Sequence, residues 1–456
     1  MMGGIPRNIH FVGIGGVGMS GLAALLLSRG HRITGSDLKA SEITERLQAK
    51  GVRVYLGHAP EHLGVAELVV FSSAVQPGNP EVTAAREQGI PVIRRGELLA
   101  EVMRDYTGVA IAGAHGKTTT TAMVAAVLLA GGLDPTVLVG GEWPAIGGNF
   151  RLGASRYFVT EADESDATFL LLSPEVAVVT NIENDHLDYY GSLQTLVEAF
   201  REFISRNQPG RVAVLSCDDP RLRGIIHEVR TPFVTYGKSP EADYSIRDVS
   251  LKGATSTAAL YYRGEPLGWL KLQIPGMHNL VNAACAIAVG RHLGVPFARA
   301  ARALSAFYGV RRRFELVGKA KGVWVVDDYA HHPTEIMAAI QAARQLNSGR
   351  VVTVFQPHRY SRTAILYREF GGAFSDADVV AIGEIYSAGE KPIPGVTADL
   401  IREAVARHDG REVLRLPAEN GALFLKGLVR PGDIVLTLGA GDIHKVGAEL
   451  VRLLEE

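Results

Sequence analysis

Short apolar runs, each ending in glycines or charged residues, recur along the chain and alternate with longer runs of helical spacing. Residues 8–14 read as a first strand, 19–28 as an apolar helix and 31–36 as a second strand ending at Asp37. Residues 68–72 form a further strand with Ser72-Ser73 at its carboxyl end, and 92–99 close this first unit. A second series starts near Val109, with a strand ending near Ala112, a helix over 122–130 and strands over 157–160 and 176–180. From 207 to 273 short β-like runs (212–215, 233–236, 258–262, 270–274) alternate with turns, and a helix then runs to His292. The last series has strands at 323–326, 351–355, 379–382 and 434–438, with a helix over 336–346. Strands alternating with helices predict an α/β protein of three consecutive domains, at 1–95, 96–310 and 311–456.

Composition narrows the class. A chain of 456 residues exceeds one ordinary core, and 51 glycines suit many tight strand-to-helix turns. A net charge of −1 gives no pointer to a nucleic-acid or membrane surface. Cys217 and Cys285 are too few for a disulfide framework, which fits a reducing cytoplasm. The apolar runs are too short to span a bilayer, and the first strand leads directly into a glycine loop without a signal peptide.

The chemistry gathers at strand ends. Gly113-Ala-His-Gly116-Lys117-Thr118 lies between a strand and a helix, the setting in which backbone N–H groups and a helix N-terminus close around phosphates. Lys117 is placed to reach β/γ-phosphates and the Thr118 hydroxyl to hold Mg²⁺. The loop is short, because the position of the expected first glycine is Ile111. A solvated lysine on a glycine turn is the alternative; the strand–helix context and the run of threonines favour phosphate. Gly13-Ile-Gly15-Gly16-Val-Gly18 is a dinucleotide-type turn, open to NAD, FAD or a nucleotide sugar. Asp37 stands where a ribose hydroxyl is usually held, or is a turn residue.

Two acidic clusters, Glu161-Ala-Asp163-Glu164-Ser-Asp166 and Asn181-Ile-Glu183-Asn184-Asp185-His186-Leu-Asp188, follow consecutive strands. Such crowding beside a phosphate loop suits Mg²⁺, which prefers oxygen ligands. His186 is either a hydrogen-bonded structural residue or a metal or phosphate contact. His278, Asn279 and Asn282 share one side of a first helical turn and suggest base or ribose recognition. The triplet Arg311-Arg312-Arg313 is a solvated surface or a source of charge for phosphoryl transfer. His331 and His332 lack the companions of a zinc site.

Taken together these motifs resemble the Mur ligases of bacterial cell-wall synthesis along essentially the whole chain. The resemblance is carried by His10-Phe-Val-Gly-Ile-Gly-Gly-Val-Gly18, Gly113–Thr121, Glu161–Asp166, Thr180–Asp188, His278–Asn282, Arg312-Arg-Phe314, Asp327–Glu335, Phe355–Thr363 and Leu438–Asp442. It implies a Rossmann-like N-terminal domain for a UDP-sugar, a P-loop-type mononucleotide-binding central domain for ATP, and a Rossmann-like C-terminal domain for the incoming amino acid. Gly13, Gly15, Gly16 and Gly18 would cradle the UDP pyrophosphate, with Asp37 and Ser72 as nucleotide contacts. Gly113, His115, Gly116, Lys117, Thr118 and Thr119 would hold ATP, together with His278, Asn279, Asn282, Arg313 and Asp328. Thr118, Glu161 and His186 would serve Mg²⁺ (or Mn²⁺), and Tyr329, His331, Arg359 and Arg362 would line the amino-acid site.

Within the family the chain is most similar to the branch that adds L-alanine to UDP-N-acetylmuramate. Related ligases use a carbamylated lysine for a second metal, whereas no lysine lies between Lys117 and Lys238. The expected enzyme is cytoplasmic, a monomer or weak homo-oligomer, with no nucleic-acid or membrane partner. ATP would phosphorylate the acceptor carboxylate, and the amine would attack the acyl phosphate with His331 taking its proton; Lys117 and Arg313 would neutralise charge. Alternatives are a ligase attaching a preformed tripeptide to the same UDP-sugar, a nicotinamide-dependent oxidoreductase suggested by residues 13–18, and a non-catalytic nucleotide-binding regulator.

Overall fold

A computed structural model describes residues 4–72, 74–76, 78–205, 210–346 and 349–456, without the side chains of Leu187 and Asp188. Ser73 and the Asp188 side chain, both within motifs noted above, therefore lie outside the described residues. The chain divides into two compact units, Met1–Ser245 with Ala284–Ala300, and Ile246–Ala283 with Ala301–Glu456.

The first unit holds a parallel sheet in the spatial order Arg53–Leu56, Arg32–Asp37, Asn8–Val12, Leu68–Phe71, Val92–Arg94. Strand order reverses at Asn8–Val12, so a crevice opens between its carboxyl end and that of Leu68–Phe71. The glycine turn leaves the first of these strands and Ser72 follows the second. The adjoining helix Val17–Ser28 is apolar on nearly every side because both sides are covered. At Gly21 a Cβ would overlap the end of the Leu138 side chain of the next sheet, so a larger residue there requires that side chain to shift.

The second sheet of this unit runs Phe233–Gly237, Val212–Ser216, Val176–Val179, Thr107–Ala112, Tyr157–Glu161, Thr136–Trp143, Gly148–Arg151. All neighbours are parallel except the final hairpin. Val176–Val179 is buried at every position, as expected of a strand covered on both faces. One hydrophobic core continues from Phe11, Leu22 and Leu26 of the first sheet layer to Leu138, Phe158, Phe169 and Phe200 of the second.

In the second unit Thr255–Tyr262 and Glu265–Leu272 form an antiparallel hairpin. Its main sheet runs Glu315–Ala320, Val323–Asp328, Ile434–Leu438, Val351–Phe355, Val379–Ile382, Leu414–Arg415. The first pair is antiparallel and the rest are parallel. Phe355, Phe370 and Phe374 centre one core beneath it, while Val325, Val435 and Leu450 belong to the core on the other side.

The expected strands and helices are present with small shifts of their ends. The main extension is the helix after the phosphate loop, which spans Lys117–Ala130 and so takes in the four threonines. Thr118, Thr119, Thr120 and Thr121 are all buried there, and packing overrides the modest helix propensity of β-branched residues. The hairpin Thr136–Trp143 with Gly148–Arg151 was not expected, because glycines interrupt its strands and Pro144 starts the turn between them.

Candidate active site

The phosphate loop is assembled by the strand ends around it. Gly116, at φ +80°, caps the helix in the left-handed region, and Gly113 has φ +132°. A Cβ at Gly113 would overlap Thr180 Oγ1, so both glycines are required by the backbone. The Thr180 hydroxyl donates to the His115 carbonyl at 2.6 Å, and the Asn181 side chain donates to it at 3.1 Å. Asn181 also accepts from His115 N at 2.9 Å. Thr180 and Asn181 therefore shape the loop from the neighbouring strand, a role that sequence spacing does not reveal.

Lys117 turns back over the loop. Its ammonium donates to the Gly113 carbonyl, and it pairs with Glu164 at 2.7 Å. Burial disfavours the ammonium, but the charges of Glu164, Asp163 and Glu161 outweigh it and hold Lys117 above the usual lysine range. Glu164, buried to 2% exposure, was not assigned a role from the sequence; its only signal was membership of the acidic run. His186 Nε2 lies 3.7 Å from the same Glu164 oxygen, and its backbone sits at φ +59°. Left-handed strain in a non-glycine residue is typical of functional positions.

Thr118 Oγ1 and Glu161 Oε2 are 3.3 Å apart, and the other Glu161 oxygen accepts from Gly140 N. Two oxygen donors at the head of a phosphate loop fit the preference of Mg²⁺ for a few protein oxygens plus phosphate and water. Lys117, Thr118 and Glu161 are thus gathered at one place, with His186 joined through Glu164.

The glycine turn of the first sheet is equally specific. Gly13 N and Ile14 N both donate to the Ser36 carbonyl, at 2.9 and 3.0 Å. Gly15 N donates to Asp37 Oδ2 at 2.8 Å, so Asp37 fastens the turn in this state. Gly16 starts the helix Val17–Ser28, and Ser72 accepts from Ala74 N at 3.3 Å. Arg95 packs against Gly18, where a Cβ would lie 3.1 Å from its Cδ, and pairs with Asp163 at 2.6 Å. Burial raises the Asp163 carboxyl, but the charges of Arg95 and Lys117 win and bring it down to about 2. A chain of charge thus links the glycine turn to the phosphate loop.

The remaining expected residues belong to the second unit. The arginine triplet separates into distinct roles. Arg312 donates to Asp327 at 3.1 Å and to the Gly439 carbonyl at 2.7 Å, and so locks its own turn. Arg313 lies with its guanidinium 5.0 Å from the Tyr329 ring centre and 3.9 Å from Glu335. Arg312 and Phe314 both have positive φ, and Asp328 braces the turn by accepting from Phe314 N and Ala330 N at 2.7 Å each. Burial pushes the Asp328 carboxyl up to about 7, against the opposing charge of Arg313.

Tyr329 and His331 meet edge to face at 5.6 Å, and His331 meets His358 at 5.7 Å. His358 Nδ1 is 3.1 Å from Arg362, which joins Arg362 to this cluster. Arg359 has φ +70° and precedes the helix Tyr360–Leu366, with its N–H on the Tyr386 carbonyl at 2.8 Å. Glu335, His358 and Tyr386 had no assigned role in the sequence reading.

The helix Met277–His292 carries His278, Asn279 and Asn282 in its first turns. Asn279 donates back to the Pro275 carbonyl at 2.7 Å, and both asparagines are buried. His278, beside them, keeps an exposed side chain.

Comparison with known sequences decides the family. Three models match in order: "Mur ligase family, catalytic domain" over residues 8–107, "Mur ligase middle domain" over 111–290 and "Mur ligase, glutamate ligase domain" over 312–441. The chain belongs to the Mur ligase family. It is 52% identical over 452 residues to UDP-N-acetylmuramate--L-alanine ligase of Pelotomaculum thermopropionicum, covering 99% of this chain and 98% of the other. It is 47% identical to the enzyme of the same name from Desulforamulus reducens, covering 99% of both. Among solved structures, UDP-N-acetylmuramate-alanine ligase from Thermotoga maritima matches with TM-score 0.84 and 32% identity over 98% of both chains. A murein peptide ligase from Psychrobacter arcticus matches with TM-score 0.74 and 25% identity over 99% of both. The three successive models and the parallel α/β sheets agree with the expected class of three consecutive α/β Mur ligase domains.

Proposed function

We propose that this Mur ligase is the ATP-dependent enzyme that joins L-alanine to the carboxylate of UDP-N-acetylmuramate in peptidoglycan precursor synthesis, forming ADP and phosphate. Similarity at about half of all positions over the whole chain to ligases of that name supports the specificity. The observation that carries the chemistry is Lys117 folded over Gly113–Gly116 beside Thr118 and Glu161, a phosphate site with an oxygen pair for a divalent cation.

A carboxylate is a poor electrophile. Transfer of the ATP γ-phosphoryl group to a carboxylate oxygen gives an acyl phosphate and ADP. The neutral alanine amine then adds to that carbon, and the tetrahedral intermediate expels phosphate as the amine proton leaves. In our assignment Lys117 orients the phosphates and Arg313 offsets charge on the transferring group. Thr118, Glu161 and His186 would hold Mg²⁺ or Mn²⁺, which when bound supplies charge neutralisation at the phosphates. His331 donates Nδ1–H to the Tyr329 carbonyl at 3.0 Å, which makes Nε2 the basic nitrogen and suits it to accept the amine proton.

We assign the UDP-sugar to residues 1–95, ATP to 96–310 and the amino acid to 311–456. Gly13, Gly15, Gly16, Gly18, Asp37 and Ser72 serve the first, and Tyr329, His331, Arg359 and Arg362 the last. His278, Asn279, Asn282, Arg313 and Asp328 complete the ATP set with Gly113, His115, Gly116, Lys117, Thr118 and Thr119. We place the reaction in the cytoplasm, as a monomer or weak homo-oligomer. Among the described residues no helix is long and apolar enough to cross a membrane.

An oxidoreductase reading leaves Lys117, Glu161 and the second acidic cluster without a task. The test is ADP release measured with UDP-N-acetylmuramate and a panel of amino acids plus a tripeptide. Release that requires both the UDP-sugar and L-alanine supports the proposal. A preference for the tripeptide, or release independent of the UDP-sugar, overturns it.

A further inference from the structure

A buried carboxylate in the first sheet layer takes no part in the scheme above, yet it is wired to the glycine turn. Glu81 is 0% exposed, on the helix Pro80–Glu87, which follows the strand ending at Ser72. Its Oε2 accepts the Ser36 hydroxyl at 2.5 Å and lies 2.9 Å from His58 Nδ1. Its Oε1 lies 2.8 Å from His62 Nδ1 and 3.6 Å from His10 Nε2. His58 Nδ1 is also 3.0 Å from the Ser36 hydroxyl, His10 Nδ1 bonds Thr34 at 2.8 Å, and Tyr55 stacks on His62 with ring centres 4.3 Å apart.

Four polar groups, Ser36, His58, His62 and His10, therefore converge on one carboxylate, with Thr34 and Tyr55 packed behind two of the histidines. Burying a carboxylate is costly unless several donors satisfy it, and packing the site with apolar side chains would hold a sheet end together at least as well. The network must therefore be explained by what it holds in place. It holds Ser36, whose carbonyl is the shared acceptor for Gly13 N and Ile14 N, and whose neighbour Asp37 takes Gly15 N. It also ties the strand that carries Ser36 to the helix on the other rim of the crevice at the strand-order switch point.

We propose that Glu81, through Ser36, is a positioning residue for the pyrophosphate of the nucleoside-diphosphate sugar: it fixes the carbonyl against which the glycine turn is set, and so sets affinity for that substrate alone. This rests on assigning the turn to the UDP-sugar. Ser36→Ala removes the link and leaves Glu81 with its histidines; Glu81→Gln keeps the shape and removes the charge. Both should raise the KM for UDP-N-acetylmuramate about tenfold, the share of one charge-assisted hydrogen bond. Neither should change kcat or the KM for ATP and L-alanine by more than about twofold.

Direct calorimetric titration with UDP-N-acetylmuramate should show the same loss of affinity. Lower thermal stability with unchanged affinity overturns the proposal, as does a fall in kcat with unchanged KM. If Glu81→Gln does not fold, Ser36→Ala alone decides. If the wild-type chain binds no UDP-sugar, the assignment of the turn fails first, and the proposal falls with it; if the wild type binds and the variants bind equally, only the proposal fails.

Discussion

Lys117 Nζ and Glu164 Oε1 form an ion pair of 2.7 Å in the phosphate loop, with both side chains withdrawn from water. Removing one partner should leave the other charge buried and unpaired. Lys117→Met is expected to lower ADP formation about a thousandfold, as loss of a key charge on a phosphoryl group does. It should also cost about 3–5 kcal/mol of stability. The double variant Lys117→Met with Glu164→Gln should regain most of the stability and none of the activity. Denaturant titrations run beside the ADP assay check both; a double variant no more stable than the single one refutes the pairing argument.

Asp328 should give stability a pH dependence of unusual sign for an aspartate. Its folded pKa, about 7, exceeds the ordinary 3.8 because burial disfavours the anion. The protonated side chain therefore contributes stability that is complete below the unfolded value and is lost as pH rises through about 7. Urea midpoints of the wild type minus those of Asp328→Asn should fall between about pH 4 and pH 7. A difference that rises over that window contradicts the burial argument.

Gly113→Ala should be severe despite adding one methyl group. The residue sits at φ +132° and its Cβ would overlap Thr180 Oγ1. Strain of about 1–3 kcal/mol is expected from the backbone alone. Trimming Thr180 to Ala relieves the overlap but not the strain, so the double variant should recover only part of the lost ATP affinity. Nucleotide titration reads the outcome, and full recovery would show that φ is not limiting.

His331→Ala should slow amide formation about a hundredfold, in the range ascribed to a positioned base. The deficit should shrink at alkaline pH, where more of the alanine amine is already neutral. Retention of the full rate across the pH range removes His331 from the chemistry.

The opposite shift at Glu81 gives a prediction in acid. Burial raises its carboxyl, but hydrogen bonds and charge from His10, Ser36 and His62 prevail and bring it from 4.5 to about 2. The anion's contribution is present above the unfolded value and is lost as pH falls through about 2. Glu81→Gln should therefore lose less thermal stability than the wild type between about pH 5 and pH 2. An equal loss in both proteins would show that Glu81 is not the group responsible.

Much of the fold was legible because parallel strands covered on both faces read as short apolar runs with glycine or charge at their ends. Val176–Val179 and Val351–Phe355 are of this kind, buried along their length. The hairpin Thr136–Trp143 with Gly148–Arg151 was not legible, since its glycines interrupt the alternation that marks a strand and Pro144 starts the turn. In the site, Lys117, Thr118 and Glu161 were legible because phosphate and Mg²⁺ demand particular groups at a strand end. Glu164, Thr180 and Asn181 act on those residues from a neighbouring strand, and no local spacing encodes a contact across a sheet.

The sequence by itself determined the order of elements, the two glycine turns and the acidic strand ends, because backbone freedom and charge are properties of single positions. Only the tertiary structure decided which acidic residue faces Lys117, which of three arginines locks its turn, and that Glu81 gathers three histidines behind the first turn. Those are choices among chemically equivalent residues, and they are made by which strands pair and which side chains the packed sheets turn toward one another.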